Sequence, residues 1–98
     1  MLGTRWRREA SWPPVKHAGP EALDSLASLL SELGGSPGLK EQGRGVFYLR
    51  SRAFLHFHED PTGLFADVRP ADDFERMPVT TRQEQRQLLR LVRGHIGT

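Results

Sequence analysis

The sequence predicts an α+β domain in which a three-stranded antiparallel meander is flanked by an N-terminal and a C-terminal helix. Two observations indicate this fold class. Near each end of the chain, apolar residues recur three and four positions apart, which is typical of amphipathic helices. Between them, three short segments rich in aromatic and aliphatic residues are separated by turn residues, which is typical of strands. The predicted order is α–β–β–β–α.

The first predicted helix spans residues 20–33. Pro20 suits a first helical position, because the N–H group that proline lacks would have no partner there. Gly34 and Gly35 end the helix, since glycine tolerates the left-handed conformation of a helix cap. The glycine-rich and proline-containing residues 36–45 are predicted to form a loop. One apolar stripe of the helix consists of Leu23, Leu26, Leu29, Leu30 and Leu33.

The three predicted strands span residues 46–50, 53–58 and 64–69. Ser51-Arg52 is the predicted turn between the first two strands. The turn before the third strand is Asp60-Pro-Thr-Gly63, in which aspartate first, proline second and glycine fourth fit a type I turn. Short turns of this kind make neighbouring strands antiparallel, so we expect a meander.

The pairing register of the second and third strands has two solutions. A three-residue loop would pair His56 with Val68. A two-residue loop would instead place His56 opposite Asp67 and put Leu55 and Phe57 with Ala66 and Val68. A slip of one residue exchanges the two faces of a strand. The sequence leaves both registers open.

The C-terminal part of the chain is predicted to be a loop followed by a second long helix. Residues 70–78 are acidic and interrupted by prolines, with one helical turn expected around residues 72–76. Thr81-Arg-Gln-Glu84 matches the capping box that begins many helices, and we expect the helix over residues 81–95. Its apolar face consists of Leu88, Leu91, Val92 and Ile96.

Charge divides the 98 residues into a tail and a domain. Residues 1–18 form a basic tail containing proline and tryptophan, with a net charge of +3, and residues 19–98 form the single predicted α+β domain, with a net charge of −1. Within that domain, residues 59–75 carry a net charge of −5 and residues 76–98 carry +4. The excess of basic residues therefore belongs mainly to the tail.

Composition excludes several classes of protein. The chain is too short for a two-domain dinucleotide-binding enzyme, a TIM barrel or an α/β hydrolase. It has no cysteine, so disulfides, a zinc ribbon and a thiol nucleophile are absent. It has neither an apolar run long enough to span a membrane nor the apolar core of a secretory signal. We therefore expect a cytoplasmic protein with no membrane association.

His56 and His58 are the candidate metal ligands. Histidines two residues apart on a strand point to the same face, about 7 Å apart, and Asp60 could add an oxygen ligand. Zinc and iron sites need three or four converging ligands. Two alternatives remain open: histidines that pack in the sheet face and are hydrogen-bonded, and a general acid or base, for which no neighbouring nucleophile can be named. No other cofactor is expected.

Four arginines of the second helix are candidates for contact with nucleic acid, together with the basic tail. Their spacing of four, four and three residues puts them on one helix face, from which they could follow the phosphates of a nucleic acid. The alternative is a solvated face that pairs with Glu84 or with the acidic residues 59–75. The four residues are Arg82, Arg86, Arg90 and Arg93.

Both faces of the middle strand are rich in apolar groups, although two helices can cover only one face of the sheet. We expect the other face to be covered by the tail, a ligand or a second copy of the chain, and we predict a homodimer through this face. The function that follows is binding or self-association by a small bacterial-type domain, with no identifiable catalytic site.

The segment GVFYLRSRAFLHFHEDPTGLFADVR, residues 45–69, resembles the β core of the MmcQ/YjbR-like bacterial proteins. In that family a GxxxFxVxGKxFA strand pair is followed by a Gly-Leu strand and a C-terminal helix, so the resemblance covers residues 20–97. It implies a compact α+β fold and a relationship to DNA binding, with no established catalytic residues. Ser51-Arg52 replaces the family's Gly-Lys turn, and Asp67-Val-Arg69 stands where the family has a lysine and proline segment.

Overall fold

One antiparallel sheet and three helices make up residues 16–96, which the computed structural model describes, with only the backbone given for Lys16. The predicted α+β class is confirmed, but the sheet has more than the three predicted strands. Residues 1–15, which are most of the predicted tail, lie outside the described residues. The elements are β1 (Lys16–His17), α1 (Pro20–Ser25), α2 (Ala27–Gly34), β2 (Leu39–Glu41), β3 (Phe47–Leu49), β4 (Arg52–Asp60), β5 (Gly63–Val68), β6 (Glu75–Pro78) and α3 (Arg82–Ile96).

The strands follow the order β2-β3-β4-β5-β6, and β1 pairs with β4. Strands β3 and β1 share one edge of β4, since β3 pairs with its first half and β1 with its second half. The predicted meander is therefore the centre of a larger sheet. The additional strands β2 and β6 extend it by one strand on each side.

The β4–β5 hairpin has the two-residue loop of Pro61 and Thr62, with Asp60 directly opposite Gly63. Of the two registers that the sequence leaves open, the structure has the one that places His56 opposite Asp67. In this register Leu55, Phe57, Ala66 and Val68 face the helices and are buried.

The β3–β4 turn lies one residue earlier than predicted. Its central residues are Arg50 and Ser51, with φ of 54° and 69°, and Leu49 pairs with Arg52. Positive φ at both positions belongs to a type I′ turn, whose twist matches that of the flanking strands. The usual Asn-Gly signal of this turn is absent from the sequence, which explains why Ser51-Arg52 was the wrong prediction.

A β-bulge interrupts the pairing of β3 with β4. Phe47 pairs with Leu55 and Tyr48 with Ala53, so Phe54 is the extra residue. Bulges bend a strand and redirect side chains. Two consecutive residues of β4, Phe54 and Leu55, are consequently both buried.

Two predicted connections contain strands. The predicted loop 36–45 includes β2, and the segment 70–78, expected to hold a helical turn around residues 72–76, includes β6 instead. Both are edge strands of three or four residues, and β6 ends at Pro78, which an edge strand tolerates because no neighbour requires its N–H group. Hydrogen bonds with β3 and β5 stabilise these strands. The sequence did not predict them because they have no apolar pattern of their own.

The helices follow the predicted stripes, with one interruption. The predicted helix 20–33 is divided into α1 and α2 at Leu26, whose φ of −100° and ψ of 11° depart from helical values. No glycine or proline marks this break. Helix α3 begins with the predicted capping box: Glu84 N–H donates to the Thr81 hydroxyl over 3.1 Å, and Thr81 N–H donates to the Glu84 carboxylate over 3.0 Å.

The core lies between one face of the sheet and the helices α2 and α3. Its largest fully buried side chains come from both layers: Leu26, Leu29, Leu33, Phe47, Leu55, Val68, Val79, Leu88 and Val92. All the leucines of the first predicted stripe contact this core, Leu23 from its margin. The opposite face of the sheet has no helix packed on it within the described residues.

Gly63 and Gly94 offer a matched test of backbone constraint. Gly63 has a φ of 147°, and a Cβ there would collide with Thr80 Oγ1, which accepts the Leu64 N–H over 2.9 Å. Gly94 lies in α3 with open space around it. We expect Gly63→Ala to lower the free energy of unfolding by about 1–3 kcal/mol. Gly94→Ala should raise it by about 0.5–1 kcal/mol.

Urea unfolding followed by circular dichroism measures both changes. Equal effects of the two substitutions would contradict the constraint at Gly63.

Candidate metal centre

A cluster of titratable side chains lies on the face of the sheet that points away from the helices. His56 and His58 are both on this face, because side chains alternate along β4 and Leu55 and Phe57 are buried against the helices. Asp67 lies directly across from His56 on β5. The cluster therefore follows from the register of the β4–β5 hairpin.

The three side chains converge. One ligand atom of each of His56, His58 and Asp67 lies within 4.8 Å of those of the other two. His58 Nε2 is 2.9 Å from Asp67 Oδ2, and His56 Nε2 is 3.5 Å from the same oxygen. Two imidazole nitrogens thus lie close to one carboxylate oxygen.

His58 is the buried member of the cluster. Its side chain is 9% exposed, yet neither of its ring nitrogens has a hydrogen-bond partner among the described residues. The Nε2 atom is near Asp67, but the N–H direction is not aligned for a hydrogen bond. A buried polar atom without a partner lowers the free energy of unfolding by about 1–3 kcal/mol, so a ligand that bound His58 here would stabilise the fold.

Arg76 of β6 holds the Asp67 carboxylate from the other side. Its Nε donates to Oδ1 over 2.8 Å and its Nη2 donates to Oδ2 over 2.9 Å, which is a bidentate pair. Burial alone would raise the pKa of Asp67, but the two hydrogen bonds from Arg76, with the imidazoles of His56 and His58 close by, outweigh it and hold the pKa far below its usual range. Asp67 is therefore an ionised carboxylate with a fixed orientation.

His17 joins the cluster from β1. It is paired with His58 in the register, and its ring centroid lies 5.0 Å from that of His58 and 5.8 Å from that of His56. Burial, followed by the neighbouring imidazoles of His58 and His56, lowers the pKa of His17 below its ordinary 6.5. A lowered pKa favours the uncharged imidazole, in which one nitrogen has a lone pair that can bind a metal.

Asp60, the oxygen ligand expected from the sequence, is not brought into the cluster. Its Oδ1 accepts the N–H and the hydroxyl of Thr62 in the β4–β5 turn, and these hydrogen bonds lower its pKa. His95 is also elsewhere, since its ring stacks on Phe54 with centroids 5.4 Å apart.

Asp67 and His17 are the residues beside the two histidines that sequence reasoning missed. The position of Asp67 opposite His56 could be predicted from the sequence for one of the two possible registers, the one with the two-residue loop. His17 is 41 residues before His58, in a strand of two residues that has no periodicity to detect. Only the pairing of β1 with β4 connects it to the cluster.

The predicted arginine face is a separate feature of the molecule. All four arginines of α3 are exposed, and with α1 and α2 they line a groove of about 480 Å³. Arg93 is 3.4 Å from Glu32 across this groove. No ion pair joins Arg82, Arg86 or Arg90 to an acidic residue within residues 16–96, and Glu84 is engaged in the capping box.

Aromatic side chains border the histidine cluster. Phe74 is 38% exposed; its ring lies 5.0 Å from that of His56, and the Arg69 guanidinium lies over it at 4.7 Å. Phe65 is opposite His58 on the same face. The homodimer through a sheet face, expected from the sequence, would use this surface and stays a prediction.

Comparison with known proteins does not assign the chain to a family. No protein-family model matches it, and neither a curated protein nor a solved structure is significantly similar to it. The resemblance to the MmcQ/YjbR-like proteins thus stays a prediction. Among the described residues, every helix is too short or too polar to cross a membrane.

The Asp67–Arg76 pair predicts a pH-dependent contribution to stability. Asp67→Asn should lower the free energy of unfolding at pH 7 by about 1–3 kcal/mol, since it weakens a partly buried charge-assisted pair. The depressed pKa of Asp67 makes this contribution complete above the ordinary aspartate pKa of 3.8. It is lost progressively as the pH falls below that value.

Urea unfolding at pH 7 and pH 3 tests this expectation. The difference between wild type and Asp67→Asn should narrow at pH 3, whereas the exposed control Asp72→Asn should show little difference at either pH. If the difference in unfolding free energy between wild type and Asp67→Asn is as large at pH 3 as at pH 7, the ionised Asp67 carboxylate is not its source.

Proposed function

We propose that this domain binds a divalent transition-metal ion through His56, His58 and Asp67. The observation that supports this most directly is His58, a buried imidazole with both nitrogens unpartnered beside an ionised carboxylate. In hydrogen-bonded packing, the alternative left open by the sequence, the 2.9 Å approach of His58 Nε2 to Asp67 Oδ2 would be the contact that satisfies the imidazole.

The donor set selects the class of metal. Two imidazoles and a carboxylate suit zinc and iron(II), whereas calcium and magnesium prefer oxygen ligands alone. Zinc–nitrogen bonds of about 2.0–2.1 Å place the ligands of a tetrahedral site about 3.3 Å apart. The donor atoms here lie within 4.8 Å of one another, so small side-chain rotations would bring them to coordination distance.

Arg76 has two opposing effects on such a site. By holding both oxygens of Asp67, it orients the ligand as outer partners of metal-bound carboxylates do. Its positive charge also repels a cation nearby. The site is therefore expected to bind zinc more weakly than a site with the same ligands and no guanidinium.

Competition titration against a chromophoric zinc chelator tests the proposal on protein without a histidine tag. Wild type should bind one zinc ion. His56→Gln and Asp67→Asn should each weaken binding by more than about tenfold, because the loss even of a residue that only hydrogen-bonds to a ligand weakens metal binding by at least that factor. His95→Gln, which removes an imidazole outside the cluster, is the matched control and should bind as wild type. Absence of zinc binding by wild type would refute the proposal.

A second candidate function, contact of the α3 arginine face with a nucleic-acid backbone, is supported by a different observation. Arg82, Arg86 and Arg90 are exposed, recur at each turn of the helix and have no carboxylate partner within residues 16–96. Four residues of helix rise about 6 Å, so these charges form a row suited to successive phosphates.

The salt dependence of binding to duplex DNA tests this candidate. Replacing Arg86 and Arg90 together by glutamine should reduce the slope of log K against log salt by about 2, one for each lost phosphate contact. The control replaces Arg50 and Arg52, which are exposed at the β3–β4 turn. Equal slopes for the two double variants would exclude specific use of α3.

A further inference from the structure

Strand β1 brings a fourth metal-binding side chain to the sheet. His17 lies directly opposite His58 in an antiparallel pair, and side chains of directly opposed residues lie on the same face. Strand β4 thus has His17 on one side of His58 and, from β5, Asp67 on the other. The donors of three adjacent strands meet on one surface.

Two hydrogen bonds connect the residues that follow β1 to β4. Ala18 N–H donates to Phe57 O over 3.1 Å, and Gly19 N–H donates to a Glu59 carboxylate oxygen over 2.6 Å. The strand itself has two residues, and His17 is exposed. A segment with so little buried contact opens more readily than the strands of the core.

A tetrahedral site for zinc requires one donor beyond His56, His58 and Asp67. The ring centroid of His17 lies 5.8 Å from that of His56 and 5.0 Å from that of His58, and the residue is exposed. The guanidinium of Arg76 contacts Asp67 from β6, and that of Arg69 lies over Phe74 beside His56. Neither can bind a metal, because a guanidinium stays protonated.

We infer that His17 is the fourth ligand of this metal centre, so that metal binding and the docking of strand β1 against β4 are coupled. This inference rests on the proposed function. A ligand that binds only the docked form stabilises that form, and the coupling is reciprocal. The metal ion would join β1, β4 and β5, and it would hold β1 more firmly against the β4 strand with which it pairs.

Cobalt(II) spectroscopy, zinc affinity and hydrogen exchange of the Ala18 amide test the inference on the full chain. Wild type should give the intense visible absorption of four-coordinate cobalt, and zinc should slow exchange of the Ala18 amide. His17→Gln should weaken zinc binding by at least about tenfold and should abolish the slowing by zinc. His95→Gln should match wild type in all three measurements.

His17→Cys distinguishes ligation from a structural role of His17. A thiolate is a zinc and cobalt ligand, so this variant should recover four-coordinate absorption with an added thiolate-to-cobalt charge-transfer band. If wild type and His17→Gln bind zinc equally, with the same cobalt spectrum and the same Ala18 exchange, His17 is not a ligand although the proposed function stands. If wild type binds no metal, the proposed function itself fails.

Discussion

The two-residue loop of the β4–β5 hairpin is the constraint on which the rest of the structure depends. Pro61 and Thr62 are its only unpaired residues, so Asp60 must face Gly63 and every later pair follows. This register turns Leu55, Phe57, Ala66 and Val68 toward the helices and the two histidines away from them. One additional residue in the loop would exchange the two faces, leaving the leucine-rich helices against imidazoles.

The sheet face away from the helices buries two polar side chains. Asp67 and His58 are both nearly buried there, although desolvation of polar groups opposes folding unless partners compensate. Arg76 compensates Asp67 fully, with two hydrogen bonds. His58 has no hydrogen bond among the described residues and only the 2.9 Å approach of its Nε2 to Asp67, and this imbalance is the physical reason for placing a ligand beside it.

Local patterns predicted the elements that are built from neighbours along the chain. The leucine stripe of α2, the capping box at Thr81 and Glu84, and the turn ending at Gly63 are all short-range signals, and all three appear in the structure. Strands β2 and β6 were missed because their hydrogen bonds come from neighbours in space, and three or four residues hold no measurable period.

The site was predictable to a corresponding degree. That His56 and His58 share a face follows from alternation along a strand. Asp67 depends on the loop length, which turn chemistry alone left open between two and three residues. His17 depends on a pairing between segments 41 residues apart, and no local rule reports such a contact. Asp60 is close to the histidines in sequence, but its carboxylate accepts hydrogen bonds from Thr62 within its own turn.

Strand β1 has a second consequence, which concerns contact between molecules. The pairing of β3 with β4 ends at Leu55, so the remaining part of that edge of β4 would present free backbone groups next to the apolar Phe57. Free strand edges of this kind recruit strands from other chains and lead to aggregation. Lys16 to Ala18 occupy this part of the edge. A chain that lost only these few residues would keep its core. It would expose the unpaired backbone groups of the second half of β4, to which strands of other chains could bind.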